Sequence, residues 1–416
     1  MGKNTQSFSK NFLWGAATSA HQVEGGLNNN WTRWEKENAQ FLSKRARYLT
    51  VPKDKEQRQS SLNPQNYLSG TACDHYHLYK KDFDLMEELG FTAYRFSIEW
   101  SRIEPEKGRF DEKEIGHYLN FVRELKKRNI EPIVTIWHWT IPVWLEREGG
   151  IGAKKIVDYF ARYCEKIVSS LKNEVKFWIT LNEPEIFASQ SYFQGIWPPK
   201  KKSLLLYLNI TYKLIRAHKA MYKKIKKIDP SSLVSISTNN VYFEVFRRSP
   251  IDRVLKFWAD WWWNSLFVNS IRKQMDFIGL NHYFHCRINY GYNKNKNERV
   301  SDLGWELHPE SIYFTLMGLK KYRLSIIITE NGLADEYDKD RGWFIKETLK
   351  NVFRAMSDGV DVRGYLHWSL LDNFEWDRGF WPRFGLIAVD YKTQKRKLRP
   401  SALIYKDIIA KHKVPT

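Results

Sequence analysis

Eight short apolar or β-branched runs mark the chain, each followed by a polar or Gly/Pro break. They are FLWGAAT (12–18), TAYRFSI (92–98), PIVTIWHW (132–139), KFWITLNE (176–183), LVSISTN (233–239), DFIGLNHY (276–283), LSIIITE (324–330) and VRGYLHWSLL (362–371). Most are followed by a stretch of helical periodicity. HYHLYKKDFDLMEELG (75–90), for example, spaces its apolar residues by three and four, the signal of an amphipathic helix. Strands alternating with helices predict a parallel sheet. Eight such units predict an α/β fold closed as a (β/α)8 TIM barrel, with the active site at the C-terminal mouth. Barrels of this length often form one domain, so residues 1–416 are expected to be a single barrel domain.

Two stretches are too long for an ordinary connection. Residues 38–72, with Pro52, Pro64 and Gly70, read as a long polar loop after the first strand. Residues 285–304, rich in Asn and Lys, read as another after the sixth. Both follow the C-terminal end of a strand, where long loops usually serve function or are disordered. Trp258, Trp261 and Trp262 fall at helical spacings and read as packing on a helix.

Composition narrows the class. Hydrophobic residues make up 43% and charged residues 27%, enough apolar side chains for a large core and too many for a disordered chain. No run of 18 apolar residues predicts a membrane span, and the start MGKNTQSFSKNF lacks the apolar stretch of a secretory signal. Cys73, Cys164 and Cys286 are widely spaced and form no CxxC pair, so neither a disulfide framework nor a metal site is expected. A cytoplasmic location follows as the natural expectation. The formal charge of +20 raises nucleic-acid or membrane-surface binding as an option. Lysine is spread along the chain, however, with only short clusters such as KKIKK (223–227) and KTQKRKLR (392–399) and no nucleic-acid motif. A solvated basic surface is the expected reading.

Polar residues gather where the strands should end. His21, Gln22 and Glu24 follow the first strand; Arg95 and Glu99 belong to the second or its end; His138 and Trp139 end the third. Asn182 and Glu183 end the fourth, Asn281 and Tyr283 the sixth, and Glu330 and Asn331 the seventh. Trp368 lies on the eighth, with Asp372, Glu375 and Trp376 beyond it. In a barrel these ends converge on one mouth. Carboxylates, amides, imidazoles and indoles around one pocket suit a polyhydroxylated ligand. Any one of these residues alone reads as a cap, an ion-pair member or a satisfied core group; the joint pattern carries the inference.

The sequence resembles glycoside hydrolase family 1, the β-glucosidase and β-galactosidase family, from FLWGAATSAHQVEG (12–25) to RFGLIAVDY (383–391). TLNEP (180–184) resembles the family's acid/base motif and ITENG (328–332) its nucleophile motif; YRFSIEWSRIEP (94–105) and WSLLDNFEW (368–376) also match. The resemblance implies Glu330 as nucleophile and Glu183 as acid/base, with Arg95 and Tyr283 holding the Glu330 carboxylate. It implies that Asn182 contacts the sugar 2-hydroxyl, and that Gln22, His138, Trp139, Glu375 and Trp376 bind the other hydroxyls. Trp368 would form the platform under the ring, and Asn281 and Phe384 would line the pocket. No cofactor is implied.

Retaining cleavage needs two carboxyl groups roughly 5–5.5 Å apart. Glu330 has to be ionised, which a neighbouring Arg95 and a Tyr283 hydrogen bond favour; Glu183 has to start protonated, which the nearby Glu330 charge favours. Pro184 is expected to keep Glu183 out of helical geometry and to extend the strand end. Residues 240–275 look shorter than in many family members, leaving the leaving-group preference open. The expected activity is hydrolysis of terminal non-reducing β-linked sugars, with β-glucosides first and β-galactosides or β-fucosides as further candidates. Glu375, expected as an ionised carboxylate, argues against 6-phosphoglycosides, and Glu183 in place of Gln argues against thioglucosides. A non-catalytic sugar-binding barrel is the different-class alternative.

Overall fold

The computed structural model describes residues 7–48, 55–247 and 249–414. Eight parallel strands close into a barrel. They are β1 (Leu13–Ala17), β2 (Ala93–Ser97), β3 (Glu131–Trp137), β4 (Phe177–Asn182), β5 (Leu233–Asn239), β6 (Ile278–Asn281), β7 (Ile326–Asn331) and β8 (Val362–Trp368). Each falls on one of the eight runs read from the sequence. The strands pair in chain order, and β8 returns to β1 with Leu13 opposite Gly364 and Ala17 opposite Trp368. Gly15 permits the close approach of β1 to β2: a Cβ there would lie 1.7 Å from the carbonyl oxygen of Ala93.

The barrel interior is packed, not hollow. Ala93, Ile133, Ile179, Phe277, Ile327 and Leu366 form one buried cluster inside it. A larger core lies between the strands and the surrounding helices. The helix His75–Glu88 shows how the pattern works: Phe83 and Met86 are buried, three residues apart, while charged residues cover its outer face. Among the described residues no helix is long and apolar enough to cross a membrane.

Two expected loops prove to be structured. Much of the segment expected as a loop over 38–72 is helical. A helix spans Asn30–Arg45, a second Lys55–Ser61, and a 3-10 turn Pro64–Tyr67; Pro52 lies outside the described residues. The first helix starts with a reciprocal cap: Asn29 Oδ1 accepts from the Thr32 amide at 3.0 Å, and Thr32 Oγ1 accepts from the Asn29 amide at 3.0 Å. Trp31, Trp34 and Leu42 are buried along one face. Sparse apolar anchors among many polar residues concealed that face. The 285–304 segment opens with a strand, His285–Ile288, paired in parallel with Tyr242–Val245 outside the barrel.

The tryptophans at 258, 261 and 262 do lie on the helical segment formed by Pro250–Ala259 and Asp260–Ser265. Trp262 packs on the core, but Trp258 is 56% exposed and Trp261 38% exposed. Those two pack on each other, with ring centroids 5.8 Å apart, and not into the core. The segment lies at the surface, and its apolar stripe extends past the area its neighbours cover.

Candidate active site

The strand ends bring the two central carboxyl groups together through shared neighbours. Glu330 is the fifth residue of β7, and its Cα pairs with that of Asn281 on β6. Arg95, fully buried on β2, reaches across the barrel and donates from Nη1 to Glu330 Oε1. Its other nitrogens are held, Nε by Thr135 Oγ1 at 2.9 Å and Nη2 by Asn182 Oδ1 at 2.8 Å. The Tyr283 hydroxyl donates to Glu330 Oε2 at 2.8 Å. Both oxygens of Glu330 thus accept from fixed donors. A carboxylate held in this way keeps its orientation during an attack.

Glu183 follows the last residue of β4 and has a different backbone from the one expected. Its φ is +41° and ψ +58°, in the left-handed region. The strand does not extend through it. Its amide donates to Ser237 O at 2.7 Å, and Pro184 begins a short helix, Pro184–Ala188, as prolines at a first helical position do. A left-handed non-glycine residue costs about 1–2 kcal/mol. That turn leaves Glu183 Oε1 accepting from Asn239 Nδ2 at 2.9 Å and from Asn281 Nδ2 at 2.8 Å.

Burial raises both carboxyls above the usual range. For Glu183 the shift is large, because the charge on Glu330 adds to the loss of solvent and only two amide donors oppose it. For Glu330 burial is opposed by Arg95, Tyr283 and Asn281. The fixed donors around Glu330 favour its charged form, whereas burial and the Glu330 charge favour the proton on Glu183. Burial also pushes Glu375 up to about 8, with Asp377 and Glu330 adding to the effect. An ionised carboxylate is the expectation at 375; burial favours the protonated form instead, with Arg378 and the Gln22 amide, at 3.3 Å, opposing it.

A cavity of about 610 Å³ opens over these groups. Gln22, His138, Trp139, Glu183, Tyr283, Glu330, Trp368, Glu375, Trp376 and Phe384 all line it. Arg95, Asn182 and Asn281 stand behind that wall. Asn182 is committed on both sides: Oδ1 accepts from Arg95 and from Asn281 at 3.1 Å, and Nδ2 faces His138 Nε2 at 3.0 Å. Because the amide donates to Nε2, the His138 proton sits on Nδ1, which is buried without a hydrogen-bond partner among the described residues. Burial and Arg95 keep the ring neutral, with a pKa well below the usual histidine value. Trp139 also has a positive φ, +76°, and its Nε1 donates to Asn182 O at 2.9 Å. Trp376 packs on Trp139 with ring centroids 4.8 Å apart.

Sequence reasoning missed several groups. Asn239 ends β5, the one strand whose end was left without a candidate, and it contacts Glu183. Glu185 sits two residues beyond Glu183, buried. Its Oε1 accepts from Thr238 Oγ1 at 3.1 Å and from the Asn239 amide, so it fixes the end of β5. Burial raises it to about 7. Trp197, Trp263, Trp305, Arg45 and Arg378 also line the cavity. Arg45, the last residue of the Asn30–Arg45 helix, pairs with Asp377, and Trp197 Nε1 donates to the same carboxylate at 2.8 Å. The strand-end rule would have found Asn239; the rim residues come from distant connections and carry no local signal.

Buried carboxyl groups of unequal acidity, among amides and indoles at the mouth of a closed parallel barrel, define a glycoside-cleaving barrel enzyme. The chain belongs to glycosyl hydrolase family 1, whose family model matches residues 4–270 and 267–414. It is 32% identical to a 1,4-beta-D-glucan glucohydrolase of Thermotoga neapolitana, over 97% of this chain and 98% of that one. Among solved structures, the beta-glycosidase from Pyrococcus horikoshii superposes with a TM-score of 0.87 at 32% identity, covering 99% of this chain and 97% of that one. Beta-glucosidase from Thermotoga maritima in complex with glucoimidazole superposes with a TM-score of 0.86 at 29% identity, covering 98% and 100%.

Proposed function

We propose that the protein is a retaining β-glycosidase that removes terminal non-reducing β-linked sugars, β-glucosides first, through a covalent glycosyl-enzyme. The observation that carries this reading is the contrast between two neighbouring carboxyl groups. Glu330 has both oxygens held by donors from Arg95 and Tyr283, whereas Glu183 is driven to keep its proton. In the first step Glu330 attacks the anomeric carbon while Glu183 donates its proton to the glycosidic oxygen, and the alcohol leaves. Ester formation removes the Glu330 charge, so Glu183 becomes more acidic and ionises. Glu183 then takes a proton from water, the water attacks the anomeric carbon, and the β-sugar leaves with Glu330 regenerated.

The remaining roles follow from the cavity wall. Trp368 offers an aromatic face to the sugar ring. Gln22, His138 Nδ1, Trp139, Glu375 and Trp376 meet its hydroxyls, and Phe384 closes the side. Asn182 is tied at both ends, so it reaches the 2-hydroxyl only by sharing or exchanging its His138 contact. Asn281 acts on Glu183 rather than on the sugar. The three cysteines are free and buried, which supports a cytoplasmic location. The reading is tested by the anomer first released from p-nitrophenyl β-glucoside, followed by proton NMR before mutarotation. Initial β-glucose is expected; initial α-glucose overturns the mechanism, and no turnover of any β-glycoside overturns the activity.

A further inference from the structure

Two links join the ends of β4 and β5 on either side of Glu183. The ladder between these strands is irregular after Ile179, and its last pair is Asn182 with Ser237. The first link follows at once, from the Glu183 amide to Ser237 O at 2.7 Å. The second is made by a side chain. Glu185, in the short Pro184–Ala188 helix, turns Oε1 back to β5 and accepts from Thr238 Oγ1 at 3.1 Å and from the Asn239 amide. On its other side this end of β5 is held in the ladder with β6, Asn239 opposite Asn281. On the side of β4, the Glu185 carboxyl takes the place of a further ladder bond.

A carboxyl is a costly group for that task. Glu185 is buried, no cation pairs with it among the described residues, and Oε2 has no hydrogen-bond partner there. A buried carboxyl without a countercharge is unfavourable, and a neutral acceptor would tie the strand equally well. What the carboxyl holds lies next to the chemistry. Asn239 Nδ2 donates to Glu183 Oε1 at 2.9 Å, while Asn239 Oδ1 is buried without a partner among the described residues. The Asn239 side chain is therefore aimed by its backbone, and its backbone is held by Glu185. The second donor to the same oxygen, Asn281 Nδ2 at 2.8 Å, stands on β6 outside this clamp. Burial and the Glu330 charge raise the Glu183 carboxyl, the Asn239 and Asn281 amides lower it, and Glu185 raises it further.

We propose that Glu185 is a positioning residue for the acid: its carboxyl clamps Thr238 and Asn239, so that the Asn239 side-chain amide meets Glu183 when Glu183 is charged. The proposal rests on the glycosidase reading and adds a residue outside the lining of the sugar cavity, acting through Asn239. As Glu183 passes its proton to the glycosidic oxygen, the charge left behind is met by Asn239 Nδ2. With the clamp released, the charged form of Glu183 loses that donor and its proton is held more tightly.

The experiment separates reach from charge. E185L and E185Q both remove the charge, but only E185Q keeps an acceptor for Thr238 and Asn239. E185D keeps the charge and draws the acceptor back by one methylene. kcat/KM for methyl β-glucoside, which needs the acid, is measured across the alkaline limb. The limb is expected about one pH unit higher in E185L than in E185Q, and higher in E185D than in wild type. With dinitrophenyl β-glucoside, kcat reports deglycosylation. It should be about fivefold lower in E185L than in E185Q near pH 6, and azide should close the gap. A purely structural role would scale every rate with the amount of folded protein and leave the limbs in place. Coincident limbs in E185L and E185Q, or a loss that azide leaves unchanged, overturn the proposal. If E185L does not fold, the limb of E185D against wild type decides. If wild type cleaves no β-glycoside, the glycosidase reading fails by itself. The Glu183 carboxyl is then titrated by carbon NMR, its resonance assigned with E183Q. A higher pKa in E185L than in E185Q, or in E185D than in wild type, supports the clamp; equal values sink it.

Discussion

Asn239 donates from Nδ2 to Oε1 of Glu183 at 2.9 Å, and this contact stabilises the charged form of the proposed acid. Its amide is in turn anchored by Glu185. Asn239→Ala removes the donor, so the Glu183 proton is held more tightly. The alkaline limb of the kcat/KM profile, where the acid is lost, should move to higher pH. Deglycosylation, which needs the carboxylate, should slow. A profile identical to wild type would detach Asn239 from proton transfer.

Glu330→Ala should lower hydrolysis by roughly 10⁴-fold or more, since no other group is placed to form the covalent ester. Arg95 then loses its buried partner, so thermal unfolding should be followed in parallel. Substantial turnover by a folded, uncontaminated preparation would remove Glu330 from the nucleophile role.

Glu183→Ala should separate the two steps. A dinitrophenyl leaving group needs little protonation, so the first step persists, while unactivated glycosides slow by roughly 10²–10⁴-fold. Azide needs no base and should restore turnover, giving a β-glycosyl azide. If azide has no effect and both substrate types slow equally, the assignment of Glu183 fails.

The raised Glu375 carboxyl predicts a pH-dependent stability. In the folded protein it keeps its proton to about pH 8, whereas unfolded it loses it near 4.5. Between those values the unfolded state binds fewer protons, so wild-type stability falls as pH rises through this window. Glu375→Gln lacks the titration. Its stability relative to wild type should be higher at pH 8.5 than at pH 5, by on the order of 4 kcal/mol as an upper bound. Urea unfolding at both pH values measures it, and a pH-independent difference would contradict the burial argument.

Charge on the substrate should matter through the same residue. Arg45 is already paired with Asp377, so a 6-phosphate entering the pocket meets Glu375 without a free Arg45 to receive it. Neutral β-glucosides should be cut in preference to their 6-phosphates. The preference should widen as pH rises past about 8 and Glu375 ionises, reaching about a hundredfold. The ratio of kcat/KM for the two p-nitrophenyl substrates at pH 6.5 and 9 tests this. A preference for the phosphate would reassign the specificity.

The barrel was legible because its strands are buried on both faces, and continuous apolar runs stand out whatever surrounds them. The polar ends of those runs, such as Asn182 after FWITL or Glu330 after SIIIT, were legible for the same reason. What depends on long-range assembly was not. The Asn30–Arg45 helix hides three buried anchors among charged residues, and Arg45 finds Asp377 more than three hundred positions away. Nor does local sequence reveal that Glu183 turns left-handed, because Ser237 on the next strand fixes that turn. The upward shift of the Glu375 carboxyl comes from the assembled wall and from no motif.

The β1–β8 seam has a consequence for how the protein comes into being. Gln22 lies just past β1, and Nε2 donates to Phe374 O and to Asn373 Oδ1, both at 2.9 Å, more than three hundred and fifty residues later. The floor of the sugar site is thus a join between the beginning and the end of the chain. During synthesis the first seven strands can emerge while Gln22 still has no partner and the barrel remains an open sheet with two bare edges. At about 5–20 residues per second, the interval between Gln22 and Phe374 lasts from about 18 to 70 seconds. Within that time the nascent chain comes to carry Glu183 and, late on, Glu330, yet no pocket to use them in. Competence arrives only when the last strand joins the first.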